Sequence, residues 1–427
     1  MTGSLPSERP TVTISTPAAT DLSPHPQAQR RILAVLVTAQ ILSGAGLAAG
    51  ITVGALLAQD MLGSASLAGL PSALLTAGSA LAAVAVGRLS NARGRRPALA
   101  AGYLTGALGT VGVIAAAVAD SPVLLFVSLF VYGAGSATNL QARYAGADLA
   151  APASRARAIS TVLVATTLGG VVGPNLAAPT GDLAEALGIP PLAGPFLLAG
   201  TAYALAALVL AVWLRPDPLL LARATYAQLA NTPTDGAVTE AQRPGSGLML
   251  GALVMVLTQL VMVAIMTMTP VHMHDHGHGT AAAGLVIALH VGAMFLPSPL
   301  TGRLVDRYGG TKLAIASGAT LLASGLFAAL APGGSVTLLA VGLVLLGLGW
   351  NLGLVSGTTL ITGAVPLATR AKTQGTVDVA IAIAGTTGGM GSGLIVAATS
   401  YPTLAMAGGI LTLLAIVPAV TVTARRR

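Results

Sequence analysis

After residue 29 this chain alternates long apolar stretches with short polar ones. Twelve apolar stretches can be marked. The first six are Ile32–Ala58, Leu67–Val86, Pro97–Ala119, Pro122–Leu140, Ala158–Pro179 and Gly194–Leu214; the second six are Leu248–Val271, Ala281–Thr301, Leu313–Ala331, Val336–Ile361, Thr373–Thr399 and Pro402–Ala424. Each has roughly 19 to 27 residues, about the length a helix needs to cross a hydrocarbon core of ~30 Å. Backbone groups in lipid must be satisfied within each segment, and such lengths fit helices and not barrel strands. The pattern predicts an all-α membrane protein with twelve transmembrane helices.

Charge gives the stretches an orientation. The 21 lysines and arginines all fall before the first span, after the last, or in alternate connections: Arg88, Arg93, Arg95 and Arg96 after span 2, Arg143, Arg155 and Arg157 after span 4, and so on to Arg425–Arg427. The remaining connections carry only Asp60, Asp120, Asp182, Glu185 and Asp275. Positive charge is retained on the cytoplasmic face, so a multi-pass protein of the cell membrane with both termini in the cytoplasm is expected. The net charge of +8 is then an orientation signal facing anionic lipid, and calls for no nucleic acid. Absence of cysteine excludes disulfides and thiolate chemistry.

The chain divides into a disordered cytoplasmic tail (1–29, rich in Pro, Ser and Thr), a six-helix bundle (30–214), a central cytoplasmic loop (215–247) and a second six-helix bundle (248–427). Repetition supports two pseudo-symmetric halves. Gly87, Leu89 and Gly94 after span 2 are echoed by Gly302, Leu304 and Gly309 after span 8, and Thr166–Gly169 by Thr386–Gly389. Such a repeat marks a transporter that rocks two bundles about a site at the midplane.

These residues resemble the major facilitator superfamily, whose signature after helix 2 is Gly-x-Leu-x-Asp-Arg-x-Gly-Arg-Arg/Lys. Gly87, Leu89, Gly94, Arg95 and Arg96 match it, with Asn91 at the acidic position; the second copy keeps Asp306, Arg307 and Gly309 but has Gly310 at the basic position. In span 5, Gly169, Gly173 and Pro174 resemble the antiporter motif of the drug/proton branch, with Ala177 and Ala178 in place of its last glycines. Small residues at this spacing also serve ordinary close helix packing. The branch's helix 4 arginine is replaced by Leu129. The resemblance implies a monomeric, proton-coupled exporter of small organic molecules. Uptake on the same fold and metal export are the alternatives.

No phosphate-binding loop accompanies Lys312 or Lys372, and no catalytic cluster lies within the spans, so an ATP-driven pump, an enzyme and a resident cofactor are not expected. Ionisable groups inside spans are costly and functional by default. Asp378 lies about 9 Å into span 11 at ~1.5 Å per residue, and His290 lies mid-span 8. Both are proton-coupling candidates; packing is the alternative for His290, and pairing with Arg370, Lys372 or the basic loop after span 2 is the alternative for Asp378. Arg143 and Asp148 are five residues apart and do not share a helix face, so each is expected to meet a charge from that basic loop as an inner latch. Gln40, Asn139, Asn175, Gln259 and Asn351 sit at plausible cavity depth. With few ionisable groups there, a weakly polar substrate fits better than a permanently charged anion.

The outward connection after span 7 carries His272, His274, His276 and His278 with Asp275, and Met255, Met262, Met266 and Met273 lie along one line of the preceding helix. Imidazoles suit divalent transition metals and thioethers suit Cu(I), hence the metal-export alternative. A solvated loop and an adaptable methionine wall account for the same residues.

Overall fold

The computed structural model describes residues 25–62, 70–230, 246–332 and 335–425, and among these it is helical with no strand. The helices are α1 (Pro26–Leu62), α2 (Leu70–Arg93), α3 (Arg95–Val118), α4 (Pro122–Ala147), α5 (Arg155–Asn175), α6 (Ala177–Ala186), α7 (Gly194–Trp213), α8 (Pro218–Ala230), α9 (Ser246–Asp275), α10 (Thr280–Phe295), α11 (Ser298–Tyr308), α12 (Gly310–Leu330), α13 (Val336–Ala364), α14 (Arg370–Ala398) and α15 (Tyr401–Arg425). Ten segments among the described residues are long and apolar enough to cross a membrane. The twelve expected spans correspond to α1–α5, α7, α9, α10 with α11, and α12–α15.

Local sequence sets several boundaries. Pro122 and Ser121 start α4, with the Ser121 hydroxyl accepting from Leu124 N at 3.4 Å, the usual economy of a proline at the first turn and a hydroxyl on an otherwise orphaned N–H. Ser335 does the same for α13 through Leu338 N at 3.3 Å.

Four features depart from the expected pattern. Span 8 is two helices. Pro297 and Pro299 lack the N–H groups that would continue the ladder, and α11 restarts with Leu300 N and Thr301 N both bonded to Pro297 O at 2.9 Å. The central connection is not simply a loop: its first half is the helix α8, which packs on α3 and α4. Span 7 continues as helix to Asp275, so His272 and His274 stand on α9 and not in a connection. Helix α1 begins at Pro26, inside the segment expected to be disordered; residues 1–24 of that tail and 231–245 of the central connection lie outside the described residues.

The spans form two bundles, each with its own core. Leu36, Leu99, Tyr103, Leu129, Phe196 and Tyr203 are buried in the first. Met262, Leu321, Leu343, Leu346 and Val355 are buried in the second, which also takes in Ile159 and Leu163 of α5. The bundles meet where α2 packs on α14 and α5 packs on α11.

Glycine makes the first of these contacts. A Cβ at Gly87 would lie 2.9 Å from both Ala371 O and Gly375 Cα, and one at Gly375 would lie 2.6 Å from Ala83 O. Both pairs lie at the end of the molecule that carries the arginines, hereafter the basic end. The two signature copies also share a turn: Gly94 has φ 93° and Gly309 has φ 87°, a region that favours glycine.

Candidate functional site

Two buried ion pairs occupy the basic end of the seam. On α4, Arg143 Nη2 lies 2.7 Å from Asp378 Oδ1 of α14, and the side chains are 0% and 3% exposed. Tyr144 completes the cluster: its hydroxyl donates to the same Asp378 oxygen at 3.1 Å and accepts from Arg143 Nη2 at 2.8 Å. The Arg143 guanidinium also lies 4.2 Å from the Tyr144 ring centre, and its Nε donates to Thr358 Oγ1 of α13 at 3.2 Å. One arginine of the first bundle is thus held by two helices of the second. Asp378 Oδ2 has no partner among the described residues.

The second pair joins Arg95 Nε to Asp148 Oδ2 at 2.8 Å, both side chains fully buried. Arg95 Nη2 reaches across the seam to Gln374 Oε1 at 2.5 Å, one helical turn before Asp378. Charges in so dry a place cost more to leave unpaired than the pair itself contributes, so removing one member costs about 3–5 kcal/mol.

Of the two charges expected to pair with the basic loop after span 2, one does and one does not. Asp148 does meet the basic loop after span 2, through Arg95. Arg143 meets Asp378 instead. The expected alternatives for Asp378 are replaced as well: Arg370 Nε donates to Val365 O at 3.2 Å, and Lys372 is exposed. Tyr144, Thr358 and Gln374 were not singled out from the sequence, since uncharged residues near helix ends carry no pattern of their own.

The signature copies do different work in the two halves. Asp306 caps the start of α5, accepting from Ala156 N at 2.9 Å, Arg157 N at 3.0 Å and Arg157 Nε at 3.1 Å. Negative charge on a helix N-terminus is favourable. At the matching place Asn91 has no charge to offer, and Arg223 of α8 bridges instead. Arg223 donates to Asn91 O at 2.8 Å and Asn91 Oδ1 at 3.0 Å. Across the seam it donates to Leu367 O and Ala368 O, just before α14. Arg307 lies beside the Tyr308 ring.

The expected cavity residues separate. Gln40 and Asn139 belong to a network inside the first bundle: Gln40 Nε2 donates to Asn139 O at 3.1 Å and Thr166 Oγ1 at 3.0 Å, Tyr103 donates to Gln40 Oε1 at 2.6 Å, and Asn139 Nδ2 donates to Ser43 at 2.9 Å. Asn351 secures the break in span 8, donating to Met294 O and Ser298 Oγ at 2.7 Å each. Ser298 is the first residue of α11, so these bonds tie α13 to both helices of span 8. Gln259 is half-buried and accepts from Trp350 Nε1 at 2.8 Å, with Phe295 edge-on to Trp350 at 5.6 Å and Gly385 alongside. Helices α9, α10, α13 and α14 thereby converge on one amphipathic patch. His290 is fully buried, bonded through Nδ1 to Leu343 O at 2.8 Å, and its Nε2 has no partner among the described residues. The surroundings of Gly173, Pro174 and Asn175 lie outside what is described. Gly169 is described and packs α5 on α1, where a Cβ would lie 2.7 Å from Ala45 N.

Two of the histidines, His272 and His276, come together. His272 stacks on Tyr401 at 4.3 Å and lies 4.3 Å from His276. Among the described residues no three His, Asp or Glu side chains gather as a metal site.

Residues 36–350, and again 251–427, match the family model of the Major Facilitator Superfamily. The chain belongs to this superfamily. It is 56% identical over 389 residues to the uncharacterised MFS-type transporter YdeG of Bacillus subtilis, covering 91% of this chain and 90% of that protein. It is 31% identical over 364 residues to the riboflavin transporter RfnT of Brucella anthropi, covering 82% and 85%. Its fold is shared with the human organic anion transporter MFSD10 at a TM-score of 0.72 and 16% identity, over 92% and 99% of the two chains. As a superfamily member it is a multi-pass membrane transporter and not an enzyme.

Proposed function

We propose that the protein is a monomeric, proton-coupled exporter of small, weakly polar organic molecules, with its basic end and both termini in the cytoplasm. The observation that carries this is the Arg143–Asp378 pair bridging the bundles at 2.7 Å. Ionised Asp378 holds Arg143 and keeps the basic end closed. A proton arriving from the opposite side neutralises the carboxylate on Oδ2, the oxygen with no partner among the described residues, and Arg143 is released. The basic end opens, the proton leaves to the cytoplasm, and substrate enters. The carboxylate then re-forms its pair and closes the seam behind the substrate. A ligand or proton can shift such an equilibrium only by its difference in affinity for the two states; a carboxylate that exchanges a guanidinium for a proton provides that difference.

The pairing scheme alone would serve uptake equally. Export rests on Gly169, Gly173 and Pro174, which resemble the antiporter motif. Likeness to a riboflavin transporter supports a planar heteroaromatic substrate, and Trp350, Phe295 and Gln259 offer ring faces and an amide of matching chemistry. In inverted vesicles with an acid interior, flavins and related planar compounds should accumulate inside and dissipate the pH gradient. Accumulation in right-side-out vesicles with an acid exterior would reverse the assigned direction.

A further inference from the structure

A cavity of about 280 Å³ lies at the seam, lined by Ala153, Arg157, Arg303, Asp306 and Arg307. Neither the proton scheme nor the substrate patch uses it. Its charge is unbalanced. Both oxygens of Asp306 are occupied by the start of α5 and by Arg157 Nε, so one carboxylate faces three guanidinium groups. Among the described residues Arg303 and Arg307 make no hydrogen bond or ion pair, while the Arg157 side chain is 55% exposed and, beyond its pair with Asp306, donates only a long bond from Nη2 to Ala153 O at 3.4 Å. Planar guanidinium forks converging on one small volume suit a phosphate group.

The walls point to a lipid-borne phosphate. Leu300, Arg303 and Arg307 follow at spacings of three and four on α11, which places them on one helical face, and Leu300 is 59% exposed. On α5, Arg157, Thr161 and Leu168 likewise follow at spacings of four and seven, with Thr161 exposed and Leu168 59% exposed. Each face runs from arginine at the basic end to an exposed leucine further along the apolar span. That is the sequence of surfaces along a phospholipid, headgroup first and acyl chains after. A freely diffusing anion would have no use for the leucines.

We propose that this seam is a binding site for one anionic phospholipid, whose headgroup phosphate is held by Arg157, Arg303 and Arg307. Arg157 belongs to the first bundle and Arg303 and Arg307 to the second, so the bound headgroup ties the bundles together and favours the state closed at the basic end. A shift of this kind follows from binding one state better than the other.

The test uses the purified full chain, and its binding arm needs no transported compound. Native mass spectrometry would compare phosphatidylglycerol, phosphatidylcholine and inorganic phosphate as ligands. Arg303→Gln with Arg307→Gln leaves the Arg157–Asp306 pair in place, and Arg303→Lys with Arg307→Lys retains the charge and controls for folding. Phosphatidylglycerol should bind in preference to phosphatidylcholine, at least about tenfold more weakly in the glutamine variant, with substantial recovery in the lysine variant. Since the chain has no cysteine, spin labels at Arg88→Cys and Lys372→Cys report the seam directly, and phosphatidylglycerol should raise the short-distance population. Equal binding of the two lipids, undiminished binding in the glutamine variant, or an unshifted distance distribution would each overturn the proposal. Displacement of the lipid by inorganic phosphate that closes the seam by itself would also overturn it, assigning the cavity to a soluble anion.

Discussion

Arg143 and Asp378 are 235 residues apart in the chain and 2.7 Å apart in space, and their contact joins the two bundles at the basic end. Few other arrangements link the charge on one atom so directly to the separation of two domains. Asp378→Asn should therefore abolish gradient-driven transport while leaving substrate exchange measurable. Arg143→Gln, which strands a buried carboxylate, should cost about 3–5 kcal/mol and lower the thermal midpoint. Transport in proteoliposomes at graded pH distinguishes the two. Wild-type pH dependence in the asparagine variant would remove Asp378 from the coupling scheme.

Gly87 and Gly375 touch through backbone alone. Gly87→Val should wedge α2 from α14, since the neighbours at 2.9 Å are backbone atoms and cannot rotate away. Distance measurements between labels on the two helices at the basic end should show the closed population lost, and net transport should fall at least about tenfold. A closed population equal to that of the unsubstituted protein would mean that the contact does not set the seam.

Orientation is testable without knowing the substrate. Glu185→Cys and His276→Cys, both exposed, should react with an impermeant thiol reagent in intact cells, because their connections carry no Lys or Arg. A reporter fused after Arg427 should be active only in the cytoplasm. Protection of both cysteines would invert the assignment.

Replacing His272, His274, His276 and His278 with alanine should leave metal tolerance and organic-compound export unchanged. A small loss of stability is expected from the His272–Tyr401 stack; such aromatic pairs contribute about 0.5–1.5 kcal/mol. Met262→Leu with Met266→Leu keeps volume and removes the thioethers. Metal-specific loss of export in that variant would favour the metal reading over the organic one.

Span number, bundle division and the signature turns were legible because each leaves a one-dimensional trace: length of an apolar run, sidedness of arginine, glycine at fixed offsets. Partners were not. Asp378 was picked out by its depth, yet nothing near it in the chain announces Arg143; Arg370 and Lys372 were offered for their proximity in the chain, and the loop after span 2 for its charge. Pro297 and Pro299 held the information for the break in span 8, but a hydropathy window averages over a two-residue interruption. Helix α8 was hidden for the opposite reason. It lies in a polar stretch, and its docking depends on Asp217, which accepts from Arg96 N at 2.7 Å and from Leu219 N at 3.0 Å. Gln40 and Asn139 have the right depth but face one another, a matter of rotation about the helix axis that composition does not encode.

Arg223 stands in the segment that joins the halves, and it is bonded to Asn91 on one side of the seam and to Leu367 and Ala368 on the other. Opening the basic end must break one of these sets, whatever happens to substrate or proton. Substitution of Arg223 is therefore expected to shift the resting conformation, as a rheostat would. Changes confined to α8 should bias how long the carrier waits in one posture, leaving the Gln259–Trp350 contact and the Arg143–Asp378 pair untouched. Speed and selectivity are then separately adjustable properties of one chain.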